Sequence, residues 1–128
     1  MATRKQFNQF FDGYVTAALW SSNDESDESG GEPLDKNYDR SDIAKDSLRK
    51  MKQDCVKFMR ANKSALAEAA HEMGWPSNGH DFWLTRNGHG AGFWDRGLGD
   101  LGDRLSEACK KFPEQYLYVG DDKQIHVA

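Results

Sequence analysis

The strongest constraint on the fold of this chain is an Asn-Gly pair, Asn87-Gly88, that stands between two runs rich in aromatic residues. Such a pair is the strongest short-range signal for a β-hairpin, because both residues readily adopt the positive φ angles of a two-residue turn. Segment 80–95, HDFWLTRNGHGAGFWD, is therefore predicted to form two antiparallel strands, at about 80–86 and 89–95.

A two-residue turn would fix the pairing of these strands, with Arg86 opposite His89. Because side chains alternate across a strand, one face becomes a core face and the other carries two indoles opposite bare glycine backbone. The core face holds Phe82, Leu84, Ala91 and Phe93, and the other face holds Trp83, Trp94, Gly90 and Gly92. A longer loop over residues 86–90 would shift this register, and packing of the indoles beneath a helix is the alternative use of their face.

Two indoles beside open backbone and an arginine suit the stacking of a nucleotide base or the binding of a small anion. The glycines after residue 87 resemble a phosphate-binding loop in composition alone, because the Lys-Ser/Thr ending and the following helix are missing. The candidate ligand-binding residues are Asp81, Trp83, Arg86, Asn87, His89, Gly90, Gly92, Trp94 and Arg96.

His80 and Asp95 are cross-strand neighbours in this register, so a hydrogen bond between them could orient His80 for acid–base catalysis in a hydrolase. A histidine satisfied by a carboxylate at a strand end is the common structural alternative. His89 lies at the other end of the hairpin, about 20 Å away at about 3.3 Å per residue, so the two histidines cannot share a zinc ion. The sequence predicts no metal site and no cofactor, and favours a protein that is not an enzyme.

Length, charge and hydropathy limit the kinds of protein that this chain can be. A chain of 128 residues is expected to fold as a single domain, 1–128, with a substantial core. The net charge of −4 argues against a general nucleic-acid binder. No apolar run approaches the roughly 20 residues of a membrane span, and no signal-peptide core is present, so we expect a cytosolic protein. Cys55 and Cys109 are expected to be buried thiols rather than a disulfide.

Hydrophobic spacing predicts three helical regions. The first follows a capping box formed by Thr3 and Gln6 and ends near Trp20. The second runs from about residue 46 to residue 73, with an interruption near Asn62, a stop at Gly74, and Pro76 preventing a restart. The third begins at Asp100 and ends before Pro113.

The chain ends in a second predicted hairpin, with strands at 116–119 and 124–127 around a Gly-Asp-Asp turn. Its core face is predicted to hold Tyr116, Tyr118, Ile125 and Val127. The order of elements predicts an α+β fold, in which an antiparallel sheet built from the two hairpins packs against two or three helices.

An acidic, solvated loop is predicted at 21–40, pinned to the core by Leu34 and Tyr38. A calcium-binding EF-hand loop does not fit, because the sixth position is Ser29 when counting starts at Asp24 and Glu32 when it starts at Asp27. The loop instead suits a basic partner protein. The candidate partner-binding residues are Asp24, Glu25, Asp27, Glu28 and Glu32.

Several stretches resemble a family of small proteins found in tailed-phage genomes and prophages. They are GHDFWLTRNGHGAGFWDRG, LYVGDD, YVTAALWSS, EPLD and MKQDCVKF, so the resemblance spans most of the chain. It implies an accessory protein that acts in the cytosol of the bacterial host, and it supplies no catalytic residues. The leading expectation is therefore a phage-encoded protein that binds and modulates a host protein, including in counter-defence. A nucleotide or small-anion binder and a hydrolase are the alternatives.

Overall fold

The computed structural model describes residues 3–25 and 31–128, and helices dominate these residues. The α-helices are α1 (Arg4–Ser21), α2 (Lys45–Ala61), α3 (Lys63–Met73), α4 (Trp75–Arg86) and α5 (Asp100–Cys109). The strands are β1 (Asn23–Asp24), β2 (Glu32–Pro33), β3 (Leu117–Val119) and β4 (Ile125–Val127). Single 3-10 turns lie at Leu34–Lys36, Arg40–Asp42 and Phe93–Asp95. Within residues 3–25 and 31–128, none of the helices combines the length and the apolar composition that a membrane span requires.

The predicted α+β fold is wrong. In the described residues, β1 pairs with β2 and β3 pairs with β4, and these are two separate two-stranded sheets. The segment predicted as the first hairpin is instead α4, followed by an irregular stretch and the turn at Phe93–Asp95. The fold is therefore a helical assembly with two small strand pairs, the second of which contributes Leu117, Ile125 and Val127 to the core.

Asn87 and Gly88 end α4 rather than turning a hairpin. The N–H of Gly88 donates to the carbonyl of Thr85 at 3.2 Å, and the N–H of His89 donates to the carbonyl of Leu84 at 3.0 Å. Gly88 has φ 66°. This is the Schellman arrangement, which uses a left-handed glycine to satisfy the last carbonyls of a helix. Both residues of the pair were predicted to adopt positive φ, but only Gly88 does, because Asn87 has φ −100° at the C-cap. The pair therefore ends a helix instead of turning a hairpin.

The start of α4 also differs from the prediction. Pro76 was expected to prevent a new helix, yet it occupies the first turn of α4. Proline is tolerated there because the first N–H groups of a helix have no intrahelical acceptor. Gly74, with φ 86°, separates α3 from α4 and donates its N–H to the carbonyl of Ala70 at 2.8 Å. The glycine therefore ends one helix while the proline begins the next.

The closest helix contact joins α1 to α4 and depends on two glycines. A Cβ atom placed on Gly13 would lie 1.9 Å from the carbonyl oxygen of Pro76, and one placed on Gly79 would lie 1.7 Å from that of Phe10. No side chain fits between the helices at these points. Beside this contact, the buried ring of Tyr14 packs 5.2 Å from that of Phe82, between ring centroids.

A buried arginine links α4 to several other parts of the fold. The Arg86 side chain, 1% exposed, donates to Asp54 of α2 at 2.8 Å and to the hydroxyl oxygen of Tyr14 at 3.1 Å. It also donates to the carbonyl of Pro113, at 2.6 Å from Nη2. Its guanidinium lies 5.5 Å from the ring centroids of Phe82 and Phe112. An arginine in this setting is a structural group, because its charge and donors are used inside the protein.

The two cysteines are buried and unpaired, as predicted. Burial raises the pKa of the Cys55 and Cys109 thiols, so both are protonated at neutral pH. The thiolate is the nucleophilic form of cysteine. Neither residue is therefore suited to act as a nucleophile.

Several other predictions from local pattern are confirmed. Thr3 and Gln6 form the predicted capping box at the start of α1. The second helical region is interrupted at Asn62, between α2 and α3. Leu34 is fully buried and anchors the segment that follows β2.

The C-terminal hairpin is present, but its predicted core face is wrong. Tyr118 pairs with His126, while Leu117 pairs with Val127 and Val119 with Ile125. Cross-strand partners share a face, so Tyr118 cannot lie on the same face as Ile125. The tyrosine side chains are exposed, whereas Leu117, Ile125 and Val127 are buried.

We expect Gly13→Ala and Gly79→Ala each to lower the free energy of unfolding by about 3 kcal/mol or more, because the added methyl would meet backbone oxygen and force the helices apart. Gly90→Ala is the matched control, since nothing lies within 4 Å of a Cβ placed there. It should change stability by less than about 0.5 kcal/mol. Urea unfolding followed by circular dichroism measures all three. If Gly13→Ala and Gly79→Ala were both as stable as wild type, the backbone contact would be contradicted.

Candidate partner-binding groove

An open groove of about 510 Å³ runs along the contact between α1 and the first half of α4. The Gly13–Pro76 contact forms its floor, and polar side chains from both helices stand around it. The lining residues are Asp12, Gly13, Thr16, Met73, Pro76, Ser77, His80, Asp81 and Arg96. The groove exists because the backbones of α1 and α4 meet, leaving room above the contact.

Arg96, which is held in place by an ion pair with Asp81, forms one side of this groove. The carboxylate of Asp81, which is fully buried, accepts hydrogen bonds from Arg96 Nε at 2.9 Å and from Arg96 Nη2 at 2.7 Å. The Arg96 side chain is 36% exposed. Its Nη1 has no acceptor among the described residues, so it is available to a ligand or partner. The guanidinium is thus held in a fixed orientation with one donor edge directed away from Asp81.

The electrostatics of this pair keep both groups charged. Burial raises the pKa of the Asp81 carboxyl. The neighbouring His80 and the Arg96 guanidinium lower this pKa by more than burial raises it, so it lies below its usual range. The hydrogen bond and charge of Asp81 raise the pKa of Arg96. At neutral pH the pair is therefore a carboxylate and a guanidinium.

His80 lies beside this pair and next to an exposed indole. Its Nδ1 is 3.8 Å from Asp81 Oδ1, which is longer than a hydrogen bond. The ring of Trp20, at the end of α1, lies 5.8 Å from that of His80 between centroids. Trp20 is 54% exposed. An indole, an imidazole and a guanidinium are thus gathered around one groove.

The predicted catalytic pair is not formed. His80 and Asp95 are not cross-strand neighbours, because α4 replaces the hairpin, and the carboxylate beside His80 is that of Asp81. Both oxygens of Asp81 accept hydrogen bonds from Arg96, so this carboxylate is poorly placed to orient a catalytic imidazole. The arrangement therefore suits binding better than acid–base chemistry.

The predicted two-indole face is not formed either. Trp83 is 1% exposed and its Nε1 donates to the hydroxyl of Ser21 at 2.8 Å, whereas Trp94 is 53% exposed on the turn after α4. Trp83 is buried because it lies on the face of α4 that packs against the core. Arg86 is also turned inward, to Asp54, and so cannot serve the predicted ligand.

The remaining predicted ligand residues are divided between different surfaces. Asp81 and Arg96 meet at the α1–α4 groove. Trp83, Asn87 and His89 line a separate groove of about 350 Å³. Gly90 is exposed, and Gly92 packs against the Thr85 side chain. Sequence reasoning selected several groove residues without placing them correctly.

Arg96 also borders a third groove, of about 820 Å³, on the side of α3 and α5. Met73 is shared by this groove and the first one. The other side chains around it include Glu68, His71, Glu72, Leu98 and Leu101. The Arg96 guanidinium therefore stands between two surface depressions, where a single bound partner can reach it from either side.

The structure describes part of the predicted acidic partner surface. Glu25 is exposed, Glu32 forms an ion pair with Lys36 at 2.8 Å, and Asp24 is partly buried in β1. Asp27 and Glu28 lie outside the described residues. Within residues 3–25 and 31–128, no three His, Cys, Asp or Glu side chains are placed to hold a metal ion together.

Sequence reasoning missed Ser77 and Asp12 as groove residues, and it missed Trp20 as the aromatic neighbour of His80. Ser77 and His80 are three residues apart on α4, so a helical interpretation would have placed them together. Trp20 and Asp12 come from another helix, and no local pattern reveals their proximity to α4.

Comparison of the chain with protein-family models, with curated protein sequences and with solved structures finds no match.

The Asp81–Arg96 pair should make the free energy of unfolding depend on pH in the acidic range. A carboxyl whose folded-state pKa is lowered stabilises the fold above its ordinary pKa of about 3.9, and this stabilisation is lost as the pH falls through the lower folded-state value. We expect Asp81→Asn to be less stable than wild type by about 2 kcal/mol or more at pH 7. This difference should shrink at pH 3, because the carboxyl of the unfolded chain is then mostly protonated and the advantage of the folded-state ion pair is reduced.

Urea unfolding at the two pH values measures the effect, with Asp121→Asn as an exposed carboxylate control that should show little difference at either pH. An Asp81→Asn deficit that is the same at pH 7 and pH 3 would show that charge pairing is not its cause.

Proposed function

We propose that this protein is a non-enzymatic accessory protein of a phage or prophage, and that it binds and modulates a host protein through the α1–α4 groove. The phage context rests on the resemblance of segment 79–97 and the other stretches quoted above. The binding role rests mainly on one observation, the exposed Trp20 beside His80 at a groove that also presents Arg96.

The shape of the site favours a macromolecular partner. Pockets for small molecules are usually concave enough to bury most of the ligand, whereas this groove is open along its length. An open groove with an apolar floor suits the surface or an extended segment of another protein.

The chemistry of the groove supports the same proposal. Tryptophan and arginine are the residues most enriched among those that dominate the energy of protein interfaces. Asp81 already fixes the orientation of Arg96, so a partner that binds it loses less side-chain entropy. The acidic segment begins only a few residues after Trp20. Asp24 and Glu25 are thus placed to steer a partner whose contacting surface is basic.

We expect Trp20→Ala to abolish capture of the partner. Tagged wild-type protein, Trp20→Ala and the control Tyr118→Ala would be used to capture proteins from bacterial lysates. Tyr118 is also an exposed aromatic residue, at 44%, but it lies on the C-terminal hairpin. A protein retained by wild type and by the control should fall at least tenfold in recovery with Trp20→Ala. Equal recovery with Trp20→Ala, or no captured protein from several lysates, would contradict the proposal.

A second candidate function, the binding of a small anion or nucleotide, is favoured by the outward donor edge of Arg96. Ser77 and His80 could add a hydroxyl and an imidazole to the same ligand. The opposing carboxylate, Asp12, is paired with Arg40 at 2.5 Å, which reduces its repulsion of an anion.

Quenching of tryptophan fluorescence by ATP, corrected for absorbance, tests this second function, with inorganic phosphate as a parallel probe. We expect saturable quenching in wild type and at least a tenfold weaker response in Arg96→Gln, because the fixed guanidinium supplies the main charge. A flat response at millimolar concentrations of both probes would exclude this function.

A further inference from the structure

Positive charge is concentrated on one helix of this acidic protein. Helix α2, residues 45–61, holds six Lys and Arg and two Asp and Glu, for a net charge of +4. The other 111 residues hold eleven Lys and Arg and nineteen Asp and Glu, for a net charge of −8. The exposed cations of α2, which we call the α2 basic face, are Lys45, Arg49, Lys50, Lys52, Lys57 and Arg60.

Most of these cations have no carboxylate partner in the part of the chain that the structure describes. Asp46 pairs with Arg49 at 3.0 Å, and Asp54 is directed toward the buried Arg86. Among the described residues, Lys45, Lys50, Lys57 and Arg60 take part in no ion pair. The charge of the face is therefore available to a partner.

The fold itself does not need this arrangement. The helix is held to the core by the opposite face, whose buried side chains are Ser47, Met51, Cys55, Phe58 and Met59. On the exposed face, the unpaired Lys57 and Arg60 are three residues apart, and like charges that are neighbours on a helix surface destabilise the helix. A set of unpaired like charges that opposes helix formation is better explained by binding than by stability.

We infer that the α2 basic face binds a short acidic segment of a partner protein. This site is separate from the α1–α4 groove, since no residue of α2 lines that groove. The helix of 17 residues is about 26 Å long. An extended acidic peptide of about eight residues matches that length. The other 111 residues carry a net charge of −8, so a polyanion longer than the face would extend over a predominantly acidic protein and be repelled, since charges act over about 8 Å at physiological salt.

The length of the face therefore favours a short acidic peptide over a nucleic-acid duplex. The apolar side of α2 is used in the core, so the helix has no free apolar face with which to enter a membrane.

The test is binding of a fluorescein-labelled octaglutamate peptide, followed by anisotropy at 50 mM salt, with a twelve-base-pair DNA duplex as the competing class of probe. The binding variant combines Lys50→Gln, Lys57→Gln and Arg60→Gln. The control variant combines Lys5→Gln, Arg104→Gln and Lys111→Gln, which removes the same residue types and the same net charge from exposed positions elsewhere. Circular dichroism checks that both variants keep the helical content of wild type.

We expect wild type to bind octaglutamate, with affinity that falls as salt is raised. The α2 variant should bind at least tenfold more weakly, and the control variant should change by less than threefold. Three results would overturn the inference. They are no binding by wild type, equal weakening in the two variants, and tighter binding of the duplex with the same dependence on α2.

Discussion

The backbone contact between α1 and α4 is the constraint on which the rest of this structure depends. Gly13 and Gly79 allow two helices to meet without intervening side chains. The contact buries the aromatic residues on either side of it, and these form the core with Phe58, whose ring stacks 4.1 Å from that of Phe82 between centroids. It also forms the floor of the proposed binding groove. The same glycine pair thus links the stability of the fold to the shape of the site.

Helix α4 contributes one residue to each of two ion pairs, and the two pairs have different roles. Arg86, 1% exposed, is enclosed by Asp54, Tyr14 and the carbonyl of Pro113. In the other pair the carboxylate of Asp81 is fully buried and the guanidinium of Arg96 is partly exposed. The first pair makes its hydrogen bonds inside the protein. The second uses a buried acid to hold a surface cation in place, which is the arrangement expected of a preorganised contact.

Local patterns predicted much of the helical structure and failed at one ambiguous segment. The capping box of α1 and the break at Asn62 follow from residues that are close in the chain. Residues 82–85 include the aromatic and β-branched types that favour strands, but Gly79, Phe82, Trp83 and Arg86 also have helical spacing. The Asn-Gly pair fits either a hairpin turn or a helix end. What decided between them was the contact of Gly79 with α1, a tertiary interaction that the local pattern does not contain.

The absence of tertiary contacts from local sequence patterns also explains why only part of the binding site was predicted. His80, Asp81 and Arg96 were selected for their chemistry, and they do lie together, whereas Trp20 reaches them only through the packing of α1. The most direct test is solution NMR of Gly79. The account predicts nuclear Overhauser effects from Gly79 to Phe10 and Tyr14, with helical Cα shifts over residues 75–86. Strand-type shifts there, with cross-strand contacts between Phe82 and Phe93, would contradict it.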